Sequence, residues 1–204
     1  MKIVLEQVGR RFNQEWIFRG IDYEFLSDNR YAVLGPNGSG KSTFLSLILG
    51  SLVPSEGKVS YFDPSPVSAD EIYKRVSYAA PYLDLIEEFT LEETLDFHFK
   101  FKKTKEGMNL GAVMEVLGLA KAQDKPLKYF SSGMKQRTKL VLAFCSDTPI
   151  LLLDEPTSNL DTQGVAWYQQ LVETFGHGRI IIVCSNQADE YKFCNHFIHI
   201  TDFK

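Results

Sequence analysis

The chain has 204 residues, 44% of them hydrophobic, enough for one compact domain with a sizeable core. Its formal charge of -4, with signs mixed along the chain, excludes a global basic field of the kind that binds nucleic acid. No apolar run approaches the roughly 20 residues that a membrane span needs, and the opening MKIVLEQVGRR lacks the apolar stretch of a signal peptide. Cys145, Cys184 and Cys194 have no metal-like spacing. Cys145 and Cys184 sit among apolar neighbours and read as small core residues, which implies a reducing, cytosolic compartment.

Taken in order, residues 2–8 alternate loosely and predict a strand. The stretch RRFNQEW reads as a turn carrying Phe12, and 17–26 as a second strand. Tyr31-Ala32-Val33-Leu34 is a buried strand, followed by Gly35 to Thr43, reading GPNGSGKST, and a helix over 41–49. Residues 57–62 predict a strand, 63–68 a loop from its Asp, Pro and Ser content, and 76–79 a short strand. From about 82 to 146 the period becomes helical, with Leu91, Leu95, Val113, Val116 and Leu117 at helical spacings. The cluster Lys100, Lys102, Lys103 and Lys105 suits a solvated helix end. Strand logic resumes with Ile150-Leu151-Leu152-Leu153-Asp154. A helix over 162–175, a buried strand over 179–184, a short helix over 187–193 and a last strand over 196–200 follow. Strands alternating with helices imply a mostly parallel sheet covered by helices. The expected layout is a single domain over 1–204, with a sheet core of 1–81 and 147–204 and an inserted helical sub-lobe at about 82–146.

The stretch GPNGSGKST matches the phosphate-loop pattern GxxxxGK(S/T) in its required context of strand, turn and helix. Gly35, Gly38 and Gly40 allow the backbone to curl around an anion. The N–H groups of Pro36's successors, Asn37 to Thr43, converge on the phosphates at the positive end of the following helix. Lys41 reaches the β- and γ-phosphates, and the Ser42 hydroxyl is placed for Mg²⁺. Asp154 and Glu155 end an apolar strand. On a phosphate-loop protein Asp154 would hold Mg²⁺, directly or through water, and Glu155 would polarise the attacking water. Adjacent acids after an apolar strand also suit a helix N-cap.

Phe130-Ser131-Ser132-Gly133-Met134-Lys135-Gln136-Arg137 precedes an apolar helix, and Asp154 to Asp161 reads DEPTSNLD. With these two stretches the chain resembles, over essentially its whole length, the nucleotide-binding subunit of an ABC transporter. The resemblance implies a P-loop NTPase fold of the ABC type, α/β, with a mostly parallel sheet, an N-terminal antiparallel β portion and an inserted helical sub-lobe. It makes Gly35 to Thr43 the Walker A loop, including Pro36, Asn37 and Ser39, and places Asp154 and Glu155 at the end of Walker B. Ser131, Ser132 and Gly133, with Met134, would form the signature that reaches the γ-phosphate of a nucleotide held by a partner. Ser158 to Asp161 would form the D-loop. Phe12 sits where the family stacks an aromatic on adenine; a simple core aromatic in the turn is the alternative. ATP and Mg²⁺ are implied as cofactors. A head-to-tail dimer with a second ATPase subunit, homomeric or heteromeric, and transmembrane permease subunits are implied as partners, with no nucleic acid. The implied place is cytoplasmic, attached peripherally to the inner face of the cell membrane through the permeases.

Four positions, in three motifs, depart from the family pattern. Aligned without gaps, Pro81 stands where a glutamine usually touches Mg²⁺. Asn186 stands where a histidine usually contacts the γ-phosphate; it can donate a hydrogen bond but cannot carry a proton. Ser132 and Met134 replace a glycine and a glutamine of the signature. Loss of one preorganised donor costs roughly 10²–10³ in rate, so a slow or partner-activated ATPase is expected. His98, His177, His196 and His199 read as structural or surface residues. Tyr82 and Leu83, beside Pro81, are the candidates for contact with a membrane partner. The competing readings are a regulatory module that holds nucleotide with little turnover, and a soluble non-transport ABC ATPase. The substrate and the direction of transport are not encoded in these motifs.

Overall fold

The computed structural model describes residues 1–204. In chain order the elements are β1 (Lys2–Phe12), β2 (Glu15–Leu26), β3 (Arg30–Leu34), α1 (Lys41–Ile48), β4 (Glu56–Asp63), β5 (Ser65–Val67), β6 (Val76–Ala79), α2 (Leu91–Phe101), α3 (Leu110–Leu117), α4 (Ser132–Cys145), β7 (Ile150–Asp154), α5 (Thr162–Phe175), β8 (Ile180–Cys184), α6 (Ala188–Tyr191) and β9 (His196–His199). Backbone contacts group these into two compact units. One holds Met1–Tyr78, Thr148–Glu155 and His177–Lys204; the other holds Ala79–Asp147 and Pro156–Gly176.

The first unit carries the two sheets. A four-stranded sheet runs in the order β2-β1-β4-β5, its pairs antiparallel. A five-stranded sheet runs β6-β7-β8-β3-β9, with β7, β8, β3 and β9 parallel neighbours. Every residue of β7 and β8 is buried, the signature of parallel strands covered on both faces. Phe18, Phe25, Phe44, Ile150, Ile182 and Ile198 belong to one continuous core. Arg179, just before β8, is 2% exposed and donates from Nη2 to Ser77 Oγ at 2.7 Å and Thr148 Oγ1 at 2.6 Å, tying together the starts of three strands. The fold class is the expected one.

Two local expectations are corrected. The predicted turn over RRFNQEW shrinks to Asn13 and Gln14, because β1 continues to Phe12 and pairs Phe12 with Glu15. Asn13 takes the left-handed conformation (φ 54°) that a two-residue hairpin turn requires. The predicted loop 63–68 contains β5, paired to β4 through Phe62–Pro66 and Tyr61–Val67. Pro66 is compatible because β5 is an edge strand and no neighbour needs its missing N–H.

The second unit is helical, and side chains cap its helices. Thr90 and Glu93 form a capping box on α2; Asn109, Ser131 and Asp161 cap α3, α4 and α5. Leu91, Leu95, Val113, Leu117, Leu127 and Val141 form its core. The segment after β6 is strapped to α4: Lys139 Nζ donates to the Pro81 carbonyl at 2.6 Å, and Lys135 pairs with Glu87. All three cysteines lie in the interior and none is in a disulfide.

Candidate functional site: a phosphate loop and its acidic neighbours

The loop 35–40 leaves the C-terminal end of β3 and enters α1. Gly35, Gly38 and Gly40 have φ of 154°, 76° and 106°. At Gly40 a Cβ would lie 2.3 Å from Ile17 Cγ2, so β2 packs directly on the loop backbone and only glycine fits. Gly38 faces open space. Gly40 is the N-cap of α1 and offers no side-chain acceptor, so the first N–H groups of the helix are not taken up by a side-chain cap. The buried Ser39 hydroxyl has no hydrogen-bond partner in the chain. Lys41 is buried, with its ammonium held by the carbonyl oxygens of Gly35 at 2.7 Å and Pro36 at 3.2 Å. These features suit a polyanion: converging backbone donors, an orphan hydroxyl and a cation preset by neutral oxygens.

Register places the acids beside the loop. Asp154 on β7 pairs with Cys184 on β8, which pairs with Val33 on β3. The Cys184 thiol lies 3.5 Å from the Lys41 carbonyl. Its pKa is pushed well up, first by burial, then by the carboxylate of Asp154, with Lys41 opposing and Glu155 adding. One buried sulfur thus senses Lys41, Asp154 and Glu155 together. Asp154 is 2% exposed. Glu155 is partly buried, has φ 41°, and donates its N–H to the Cys184 carbonyl at 2.9 Å. A glutamate in this region is strained by about 1–3 kcal/mol, and Glu155 lines a pocket of about 220 Å³ with Ile17, Asn37, Gly38, Gly40, Lys41, Ser42 and Thr43. No helix begins after Glu155 until Thr162, which removes the N-cap alternative for the acidic pair.

The exposed Ser42 hydroxyl and the Asp154 carboxylate are oxygen donors suited to a hard divalent cation. No group of three or more His, Cys, Asp or Glu side chains is poised to hold a metal. Pro81 supplies no side-chain oxygen. Asn186, exposed in the turn after β8, donates from Nδ2 to Asn37 Oδ1 at 2.9 Å, a link between the turn and the phosphate loop that sequence reasoning did not find. Phe12 is 46% exposed, so it is not a core aromatic; the Arg10 guanidinium lies 4.5 Å from its ring centroid. None of the four histidines lines the pocket.

In the helical unit, Ser131, Ser132, Gly133 and Met134 join Arg137, Asn159 and Asp161 around a second pocket of about 400 Å³. Ser131 Oγ accepts from the Met134 N–H at 3.2 Å and caps α4. A Cβ on Gly133 would lie 2.9 Å from the Asn159 carbonyl, so the two stretches meet without a spacer. Asn159 is left-handed (φ 65°), and the Gln136 amide donates to the Pro156 carbonyl at 2.8 Å. The exposed side chain of Tyr82 and the half-buried one of Leu83 lie beside Pro81.

Comparison with known proteins agrees with this geometry. The ABC transporter family matches residues 18–158; Phe12 and Asn186 lie outside that span. An energy-coupling factor transporter ATP-binding protein of Thermotoga maritima is 30% identical over 99% of this chain and 79% of its own length. A cytochrome c biogenesis ATP-binding export protein of Rhizobium meliloti is 31% identical over 92% of each chain. The solved structure of an ABC transporter's ATP-binding subunit shares the fold, with a TM-score of 0.85 at 24% identity over 98% of this chain and 87% of that one. No helix here is long and apolar enough to cross a membrane. With the phosphate loop, the acidic strand end and the signature stretch in place, the chain belongs to the ABC transporter family, as one of its ATP-binding, ATP-hydrolysing subunits.

Proposed function

We propose that this subunit hydrolyses Mg-ATP slowly, in a head-to-tail dimer docked on separate permease subunits at the inner face of the membrane, and so powers transport. The observation that carries this reading is that Glu155, on a strained backbone, lines the same pocket as the phosphate loop. The backbone N–H groups of the loop and Lys41 hold the triphosphate. Glu155 takes a proton from the attacking water. Ser42 and Asp154 would hold Mg²⁺, which neutralises charge on the phosphates when bound. Ser131, Ser132 and Gly133 of a second subunit close the site over the γ-phosphate. Asn186 donates one amide hydrogen to Asn37 and has a second to offer a phosphate oxygen. Tyr82 and Leu83 are offered to the permease.

The test is Mg-ATP turnover by the purified chain over a range of protein concentrations. Turnover that rises faster than linearly, and that Lys41→Ala and Glu155→Gln both abolish, is expected of a self-sufficient homodimer. A linear dependence would exclude a site shared between copies. The Asn186 and Pro81 substitutions favour a second reading, a module that holds nucleotide with little turnover; tight ATP binding with no phosphate release, alone or with a permease, would support it.

A further inference from the structure

We propose that Arg10 is a positioning residue for the nucleotide base, acting through Phe12. This rests on the reading of the phosphate loop given above and extends it to a residue outside the motifs. Ile17 on β2 packs against Gly40 and lines the phosphate pocket. Phe12 and Glu15 form the last pair of the β1–β2 hairpin, two strand residues beyond Ile17. At about 3.3 Å per residue this sets the Phe12 ring about 7 Å further out, the scale on which a base follows its triphosphate.

Half-exposed rings on hairpin tips ordinarily rotate freely, and ordering one on binding reduces affinity. Phe12 is not in that state. The Arg10 guanidinium lies 4.5 Å from its ring centroid. Arg10 is itself fixed, because Nη1 donates to the Val53 carbonyl at 3.0 Å. Its Nε is buried without a hydrogen-bond partner, so contact with the ring is a main compensation for burying that end of the guanidinium. One face of Phe12 is therefore occupied by the chain. The ring remains 46% exposed, which leaves surface on which a planar heteroaromatic base can stack.

The comparison of two ligands isolates this role. Mg-ATP carries a base; Mg-tripolyphosphate carries the same phosphates without one. Arg10→Ala is expected to weaken Mg-ATP binding by about three- to fivefold and to leave tripolyphosphate affinity as it is, with the loss falling on KM. Arg10→Lys, which keeps a cation but not the planar fork, is expected to lose less. Phe12→Ala should abolish the difference that Arg10→Ala makes. Equal weakening of both ligands would mean a structural role in the hairpin and would overturn the proposal, as would unchanged ATP affinity or an effect that persists without Phe12. Lys41→Ala serves as the separate control: loss of both ligands upholds the phosphate-loop reading whichever way Arg10 behaves. Failure of the unaltered chain to bind either ligand would overturn both.

Discussion

The Asn186 side chain reaches back to Asn37 at 2.9 Å, so the turn after β8 is latched to the phosphate loop by a neutral hydrogen bond. A histidine at 186 would offer a longer donor that can also carry charge. Asn186→His should raise Mg-ATP turnover by about tenfold or more, within the roughly 10²–10³ that one preorganised donor contributes. Phosphate release at saturating ATP measures it; an unchanged or lower rate counts against Asn186 as the cause of slow turnover.

Glu155 combines the chemical role proposed for it with a strained backbone. Glu155→Gln should cut turnover by about 10²–10⁴ while ATP remains bound. Glu155→Gly should abolish turnover as well and raise unfolding stability by about 1 kcal/mol, since glycine accepts the φ of 41° without strain. Chemical denaturation of the two variants side by side checks this. Equal stabilities would mean that the backbone of Glu155 stores no strain.

Gly133 lies under the Asn159 carbonyl. In Gly133→Ala the added methyl displaces one stretch or the other, and a shift near 1 Å at a catalytic surface costs about 10²-fold. Turnover should fall by that order, with ATP binding by the separate chain unaffected. Parallel loss of binding, measured by calorimetry, would show that the signature stretch acts on the chain's own nucleotide rather than on a partner's.

His98 is largely buried and shares a hydrogen bond of 3.0 Å with Ser146 Oγ. Burial first, and then Lys102, push its pKa down to about 4, with the Leu142 carbonyl opposing. Its unfolded value lies near 6.5, so between pH 6.5 and 4 the unfolded chain binds the extra proton. The stability it contributes is therefore complete above pH 6.5 and is lost as pH falls towards 4, by up to about 3 kcal/mol. His98→Gln should flatten this loss. Urea midpoints at pH 7 and pH 4.5 would show it, and identical pH sensitivity in both chains would rule it out.

The interior strands were legible because Ile, Leu and Val runs have one stable use, as parallel strands buried on both faces. The phosphate loop and the acidic strand end were legible because their spacing is dictated by local chemistry. The edges of the fold were less so. β5 is only Ser65, Pro66 and Val67, two of them loop-forming residues, and its pairing depends on β4 alone. The strand character of Arg10 to Phe12 is hidden by charge, and the guanidinium on Phe12 comes from folding β1 against the Val53 turn. Helix α5 lies in sequence between two strands of the first unit, yet its contacts group it with the helices, because an amphipathic period does not say which surface its apolar face meets. The Asn186 to Asn37 latch spans 149 residues and leaves no trace in either local sequence.

The interior thiols have a practical consequence for watching this protein work. Cys145, Cys184 and Cys194 are all buried. Cys184 is driven well above the ordinary thiol range, and Cys194 is raised to about 12 by burial. Burial keeps all three from a maleimide or a spin label. A single cysteine introduced on the surface, one beside the phosphate loop in one copy and one beside the signature stretch in another, would therefore take label selectively in an otherwise unaltered chain. The proposed opening and closing of two copies over ATP would become a distance that spectroscopy can follow without first stripping the native cysteines from the core.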